Sequence, residues 1–150
     1  MKDAQPTATG VVTCFILRQS ADGQDEVLLV RRSDRVRTYR GHWAAISGYL
    51  EAGATPLDQA REELREEVGL EADDAPLVRA GEPLTFTDNT IGVTWTVHPF
   101  LFRLREGREI HTDWEANASR WMPPTELVSL PTVPMLREAL ARVYPGGASA

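Results

Sequence analysis

The stretch 48–70, GYLEAGATPLDQAREELREEVGL, carries the reading on which the rest of the chain turns. Thr55 is placed to cap a helix, Pro56 suits a first helical position where no N–H is needed, and Gly69 stops the helix after Val68. Those signals bracket about three and a half turns. At about 100° per residue, Leu57, Ala60, Leu64 and Val68 share one side, and Glu63, Glu66 and Glu67 fall within an arc of roughly 100° beside it. Three carboxylates therefore converge next to a stripe meant for burial.

Like charges three and four residues apart on a helix repel by a few tenths of a kcal/mol when exposed, and by more when shielded. Arg61 and Arg65 would offset them if the face is simply solvated. A hard divalent cation is the other answer. Mg²⁺, with Mn²⁺ as an alternative, takes oxygen ligands, binds phosphate oxygens and lowers the pKa of a coordinated water, which is the equipment for phosphoanhydride hydrolysis.

Gly48 to Gly53 followed by Glu63-Leu64-Arg65-Glu66-Glu67-Val68-Gly69-Leu70 resembles the Nudix box, G-x5-E-x7-R-E-U-x-E-E-x-G-U with U aliphatic, in spacing as well as residue type. Two positions depart from it: Ala54 stands where the isolated Glu belongs, and Glu62 where the Arg belongs. In that family the Arg helps hold the first Glu of the helix, and Arg61, one residue early, points about 100° away from the required direction. The resemblance implies an α/β fold, the Nudix α/β/α sandwich with a mixed central sheet, as a single domain over 1–150.

The same resemblance implies Gly48, through its carbonyl, and Glu63, Glu66 and Glu67 as metal ligands, with Glu63 or Glu67 orienting the attacking water. Some members of the family place the base in a loop far downstream, and Glu115 in Asp113-Trp114-Glu115 is the candidate here. Glu51 is expected to close the loop before the helix by hydrogen bonding to backbone. The implied activity is divalent-metal-dependent cleavage of a phosphoanhydride in a nucleoside diphosphate linked to another moiety. Ala54 and Glu62 motivate the alternative, a domain that binds a phosphorylated small molecule as a sensor without hydrolysing it. Isopentenyl diphosphate isomerases share the fold, but the strand in which they carry a catalytic Cys corresponds to His42–Gly48, which has none.

Outward from this core, Gly10–Arg18 is apolar on both alternating faces, as a central strand covered on both sides would be. Gly23 marks a turn, Val27–Arg31 a hairpin partner, and His42–Leu50 a further short strand. Strand material follows at Leu77–Val78, Leu84–Phe86 and Gly92–Leu104, where Pro99 suggests an edge or a bulge. A turn and short strand at Trp114–Met122, one helical turn at Pro124–Val128 and a last helix over Thr132–Tyr144 complete the pattern. Residues 1–8 and 145–150 are expected to be flexible.

Five of the fifteen arginines lie between Arg31 and Arg40: Arg31, Arg32, Arg35, Arg37 and Arg40. Such an island is either a solvated loop or an anion-binding lip, and Arg31, Arg32 and Arg40 are the candidates for phosphate contact. Phe86 and Trp95 are candidates for stacking a planar group, against the plainer alternative of core packing. His42, His98 and His111 have no ligand spacing and read as surface or core residues.

Sixteen basic residues against 22 acidic give a net charge of −6, which argues against broad affinity for nucleic acid or an anionic membrane. No stretch approaches the roughly 18 apolar residues of a membrane span. Cys14 is the only cysteine, so an intramolecular disulfide and a cysteine zinc cluster are excluded and a reducing cytoplasm is the expected setting. Members of the Nudix family are often homodimers, though nothing in the apolar pattern marks an interface.

Overall fold

The computed structural model describes residues 7–145, so the ends expected to be flexible lie almost wholly outside it. Eight strands form one mixed sheet: β1 (Thr7–Gln19), β2 (Asp25–Arg32), β3 (Trp43–Ala44), β4 (Ile46–Tyr49), β5 (Leu77–Ala80), β6 (Leu84–Asp88), β7 (Val93–Arg103) and β8 (Ala116–Met122). The central path runs β3-β2-β1-β7-β5, with β4 on β1, β6 on β7 and β8 on β2. The pair β1 and β7 is parallel over its whole length, from Thr7 opposite Val93 to Leu17 opposite Arg103. Such a pair, buried on both faces, needs the continuous apolar run that Val11–Leu17 supplies.

Two hydrophobic clusters lie on opposite faces of this sheet. Phe15, Leu17, Val27 and Leu29 point to one face, where α2 (Leu136–Ala141) contributes Leu136, Ala139 and Leu140. Val12, Cys14, Ile16, Leu28 and Val30 point to the other, where α1 (Pro56–Val68) contributes Ala60, Leu64 and Val68. The alternation of β1 and β2 thus decides which helix each residue meets. The result is the α/β/α sandwich with a mixed sheet.

The segment between Ile46 and Leu70 positions the site. β4 pairs antiparallel with β1, setting Gly48 opposite Val12. The chain then turns through Glu51–Ala54, closed by the Ala54 N–H to the Glu51 carbonyl at 3.1 Å. Thr55 caps α1 by accepting the Asp58 N–H at 3.2 Å, Pro56 follows it, and Gly69 closes the other end at φ 73°, where its N–H returns to the Arg65 carbonyl. Both ends of the helix stand where the sequence puts them.

Three expectations are corrected. The His42–Leu50 strand is broken into β3 and β4. Pro99 lies on neither an edge nor a bulge: it sits in the middle of β7 opposite Thr13, where the neighbour on the other side changes from β6 to β5, and its carbonyl receives the Gly81 N–H from their connection. A proline is tolerated at that junction because no strand partner there requires its N–H. The last helix is six residues, not thirteen, because Thr132 bridges to Trp43 as extended chain and Met135 adopts φ 66°, so the helix starts only at Leu136. The helical turn at 124–128 is a 3-10 helix, Pro124–Ser129.

Leu64 is 1 % exposed at the middle of the α1 interface. Leu64→Ala is expected to lower the unfolding free energy by about 2–5 kcal/mol in urea titrations, through lost transfer energy and the cavity left behind.

Candidate active site

Gly48 brings β4 against α1. A Cβ built on it would overlap the Glu63 carboxyl group, so the helix carboxylate occupies the space that any other residue would fill. Glu63 is held there by Gln59 one turn earlier, whose Nε2 donates to Glu63 Oε2 at 2.8 Å. Glu51 does not close the loop through its carboxylate. Its backbone N–H donates to Gln59 Oε1 at 3.1 Å, and its side chain is exposed.

Glu67, one turn further along α1, is 7 % exposed, and its Oε2 has no hydrogen-bond partner. Burial first, then the neighbouring Glu63 carboxyl and the charges of Glu115, Glu63 and Asp113, push its pKa up to about 11. Glu115, from the segment before β8, is raised as well, by burial and then by Asp113 and Glu63, while Arg32 pulls it back. The structure therefore brings the loop carboxylate into the field of the helix carboxylates, although 48 positions separate Glu115 from Glu67 in the chain. The backbone reinforces this: the Ser33 N–H donates to the Glu115 carbonyl at 2.9 Å, tying that segment to the end of β2. Glu66 stands at the margin. It is exposed, and its carboxyl is raised by sharing a hydrogen bond with Glu62.

The arginine island is dispersed. Arg32 alone of its five members lines the cavity beside Gly48 and Glu115, and it is fixed by donation from Nε to the Thr38 carbonyl at 2.8 Å. Burial works against its charge, and Glu115 foremost among its neighbours favours it. Arg31, one residue earlier on β2, is engaged elsewhere: it bonds Asn117 at 2.8 Å and lies over the Trp43 ring. Arg40 turns back onto the Val36 carbonyl, and Arg35 lies over the exposed Trp114 ring. Neither Arg31 nor Arg40 is brought to the cavity.

Phe86 and Trp95, from paired positions on β6 and β7, both line it, and Tyr49, half-exposed, stacks on Trp95 with ring planes 23° apart. Tyr39 completes the wall. The Trp95 indole N–H donates to the Tyr39 hydroxyl at 3.1 Å, and that hydroxyl donates to Asp88 Oδ2 at 2.7 Å. Tyr39 and Tyr49 were not anticipated. The sequence signal for Tyr49 was its place beside Gly48, and for Tyr39 there was none, since its contacts span 49 and 56 positions. None of His42, His98 and His111 lines the cavity, although the His42 ring meets Tyr39 edge-on at 6.2 Å between centroids.

Among the described residues, no three His, Cys, Asp or Glu side chains stand close enough together to hold a metal ion unaided. The donor chemistry nevertheless fits one. A buried carboxylate oxygen without a partner, a second carboxyl filling the cradle at Gly48 and a third on the facing loop are all hard oxygen donors whose mutual repulsion a divalent cation would relieve.

A mixed sheet between two helical layers, with an acidic helix set against a strand-end glycine, is the architecture of the Nudix sandwich. The NUDIX domain family matches residues 8–145, and the chain belongs to it. It is 34% identical over 113 residues to human 8-oxo-dGDP phosphatase NUDT18, covering 73% of this chain and 31% of that protein. The chain thus spans about a third of the length of that relative. Among solved structures, a Nudix hydrolase from M. smegmatis, RenU, superposes with a TM-score of 0.73 at 19% identity, covering 92% of this chain and 89% of its own. The C. elegans Ap4A hydrolase in a binary complex gives 0.74 at 18% identity, covering 89% and 93%.

The raised Glu67 pKa has a consequence for stability. The folded protein retains a proton that the unfolded chain releases above about 4.5, so this group's contribution is fullest below that pH and is lost as pH rises toward about 11. In chelator-treated protein, the melting temperature of the wild type is expected to fall more steeply from pH 5 to pH 8 than that of Glu67→Gln. Parallel profiles in the two proteins would contradict the assignment.

Proposed function

We propose that the chain is a divalent-metal-dependent hydrolase that cleaves a phosphoanhydride bond in a nucleoside diphosphate linked to another group. The observation that carries this reading is the convergence of Glu63, Glu67 and Glu115, with Glu66 at the margin and Arg32 between them and the aromatic wall. A human relative named 8-oxo-dGDP phosphatase and a nematode structure named Ap4A hydrolase lend it support, since both names describe hydrolysis of nucleoside phosphates.

In this reading Gly48, Glu63, Glu66 and Glu67 hold the cation, Mg²⁺ or alternatively Mn²⁺. When bound, it would neutralise the cluster, engage phosphate oxygens and make a coordinated water more acidic. Glu115, which faces the helix carboxylates from another segment, accepts the proton of the attacking water, with Glu67 or Glu63 as the other candidates for that role. Arg32 offers its remaining N–H groups to the phosphate and to the charge that grows on it during displacement. Phe86, Trp95 and Tyr49 receive a planar group by ring-face contact. Among the described residues no helix is long and apolar enough to cross a membrane. The free, buried thiol of Cys14 supports a reducing, cytoplasmic setting.

A second reading, a sensor that binds a phosphorylated small molecule without turnover, is favoured by Ala54 and Glu62, which replace an acid and a base of the family's box.

Product release from nucleoside triphosphates, ADP-ribose, dinucleoside polyphosphates, NADH and sugar nucleotides, with Mg²⁺ and then Mn²⁺, separates the two. Hydrolysis of at least one substrate is expected, with kcat lowered at least about a hundredfold by Glu67→Gln. Calorimetric binding of a substrate with no product at excess metal would move the assignment to the sensor.

A further inference from the structure

Gln59 is 4 % exposed, one of the few polar side chains buried in the molecule, and both ends of its amide are engaged. Oε1 accepts the Glu51 N–H at 3.1 Å and Nε2 donates to Glu63 Oε2 at 2.8 Å. This orientation is the one the chemistry allows. With the amide turned over, an NH₂ would face an N–H and a carbonyl oxygen would face a carboxylate. The residue therefore joins the loop that leaves β4 to the carboxylate that rests on Gly48.

The position where the family's box has an arginine cannot do this work. Glu62 is paired with Arg65 on the outer side of α1 and is drawn to Glu66. Arg61 is committed elsewhere, donating to the Ala75 carbonyl at 2.8 Å and lying over the Phe102 ring at 4.8 Å. Among the described residues no guanidinium pairs with Glu63, and the donor that reaches it is a neutral amide.

We propose that Gln59 is a positioning residue that fixes the Glu63 carboxylate against Gly48 for metal binding, taking the place of the absent box arginine. The inference rests on reading Glu63 as a metal ligand. An amide carries no charge, so it orients the Glu63 carboxylate without competing with a cation for it. A hydrogen-bonded partner behind a metal ligand is typically worth about 10- to 100-fold in metal affinity or activity.

Two substitutions test this. Gln59→Glu keeps the shape and the acceptor for the Glu51 N–H but places a carboxylate against Glu63, while Gln59→Leu fills the volume without either bond. Mn²⁺ binding by calorimetry is expected to weaken at least about tenfold in both, and kcat to fall at least about tenfold with KM changed less than about threefold. Melting temperatures measured without metal supply the comparison for a purely structural role. Mn²⁺ affinity and kcat within twofold of wild type in Gln59→Glu would overturn the proposal. So would losses that track the fall in melting temperature in both variants. If the wild type binds Mn²⁺ in a Gln59-dependent way but hydrolyses nothing, the positioning role stands and the hydrolase reading fails. If it binds no Mn²⁺, both fail.

Discussion

The approach of the Glu63 carboxyl to the bare backbone of Gly48 is the constraint on which the site depends. It requires the β1–β4 register that puts Gly48 opposite Val12, and a helix whose phase is set at one end by Thr55 and at the other by Gly69. A shift of one residue along α1 would rotate the carboxylates by about 100° and bring Glu62 or Leu64 toward the strand instead. The same phase puts Ala60, Leu64 and Val68 onto the sheet, so packing and chemistry are locked to one another. Neither can be changed without moving the other.

That locking explains how the molecule keeps Glu67 where it is. A buried carboxyl with an unpartnered oxygen is unfavourable by itself, and in this protein it also faces Glu63, Glu115 and Asp113. The helix does not unwind to relieve it because its apolar stripe and both caps hold it down. Among the described residues Arg32 is the one cation of the cavity wall; burial works against its charge, and of the neighbouring groups Glu115 favours it most. The site is thus left short of positive charge, a deficit that a divalent cation would relieve.

Local signals were legible and long-range ones were not. Thr55, Pro56 and Gly69 bracket α1 because capping is chemistry between residues a few positions apart, and the 3.6-residue period put Glu63 and Glu67 on one flank. Strand β1 was readable because burial on both faces leaves an uninterrupted apolar run. Pro99 misled because its usual meaning assumes a continuous neighbour, whereas β6 and β5 meet opposite it. Arg31 and Arg40 do not line the cavity although they neighbour Arg32 in sequence, because each is engaged elsewhere, Arg31 by Asn117 and Arg40 by the Val36 carbonyl. Gln59 went unnoticed because a glutamine in an acidic helix looks like a surface residue until the loop bearing Glu51 is laid over it.

The polar side-chain atoms of Trp95 and Tyr39 are already engaged. The Trp95 indole N–H goes to Tyr39, and the Tyr39 hydroxyl goes to Asp88, an arrangement that fixes both rings. A ring bound there is held by area and dispersion, which barely distinguish one flat heterocycle from another. Arg32 and the carboxylates, by contrast, are directional and charged, and a ligand lacking phosphate would leave them unmatched. Under the proposed reading, discrimination therefore rests at the phosphate end of the cavity, and the wall supplies affinity for whatever planar group the phosphates carry.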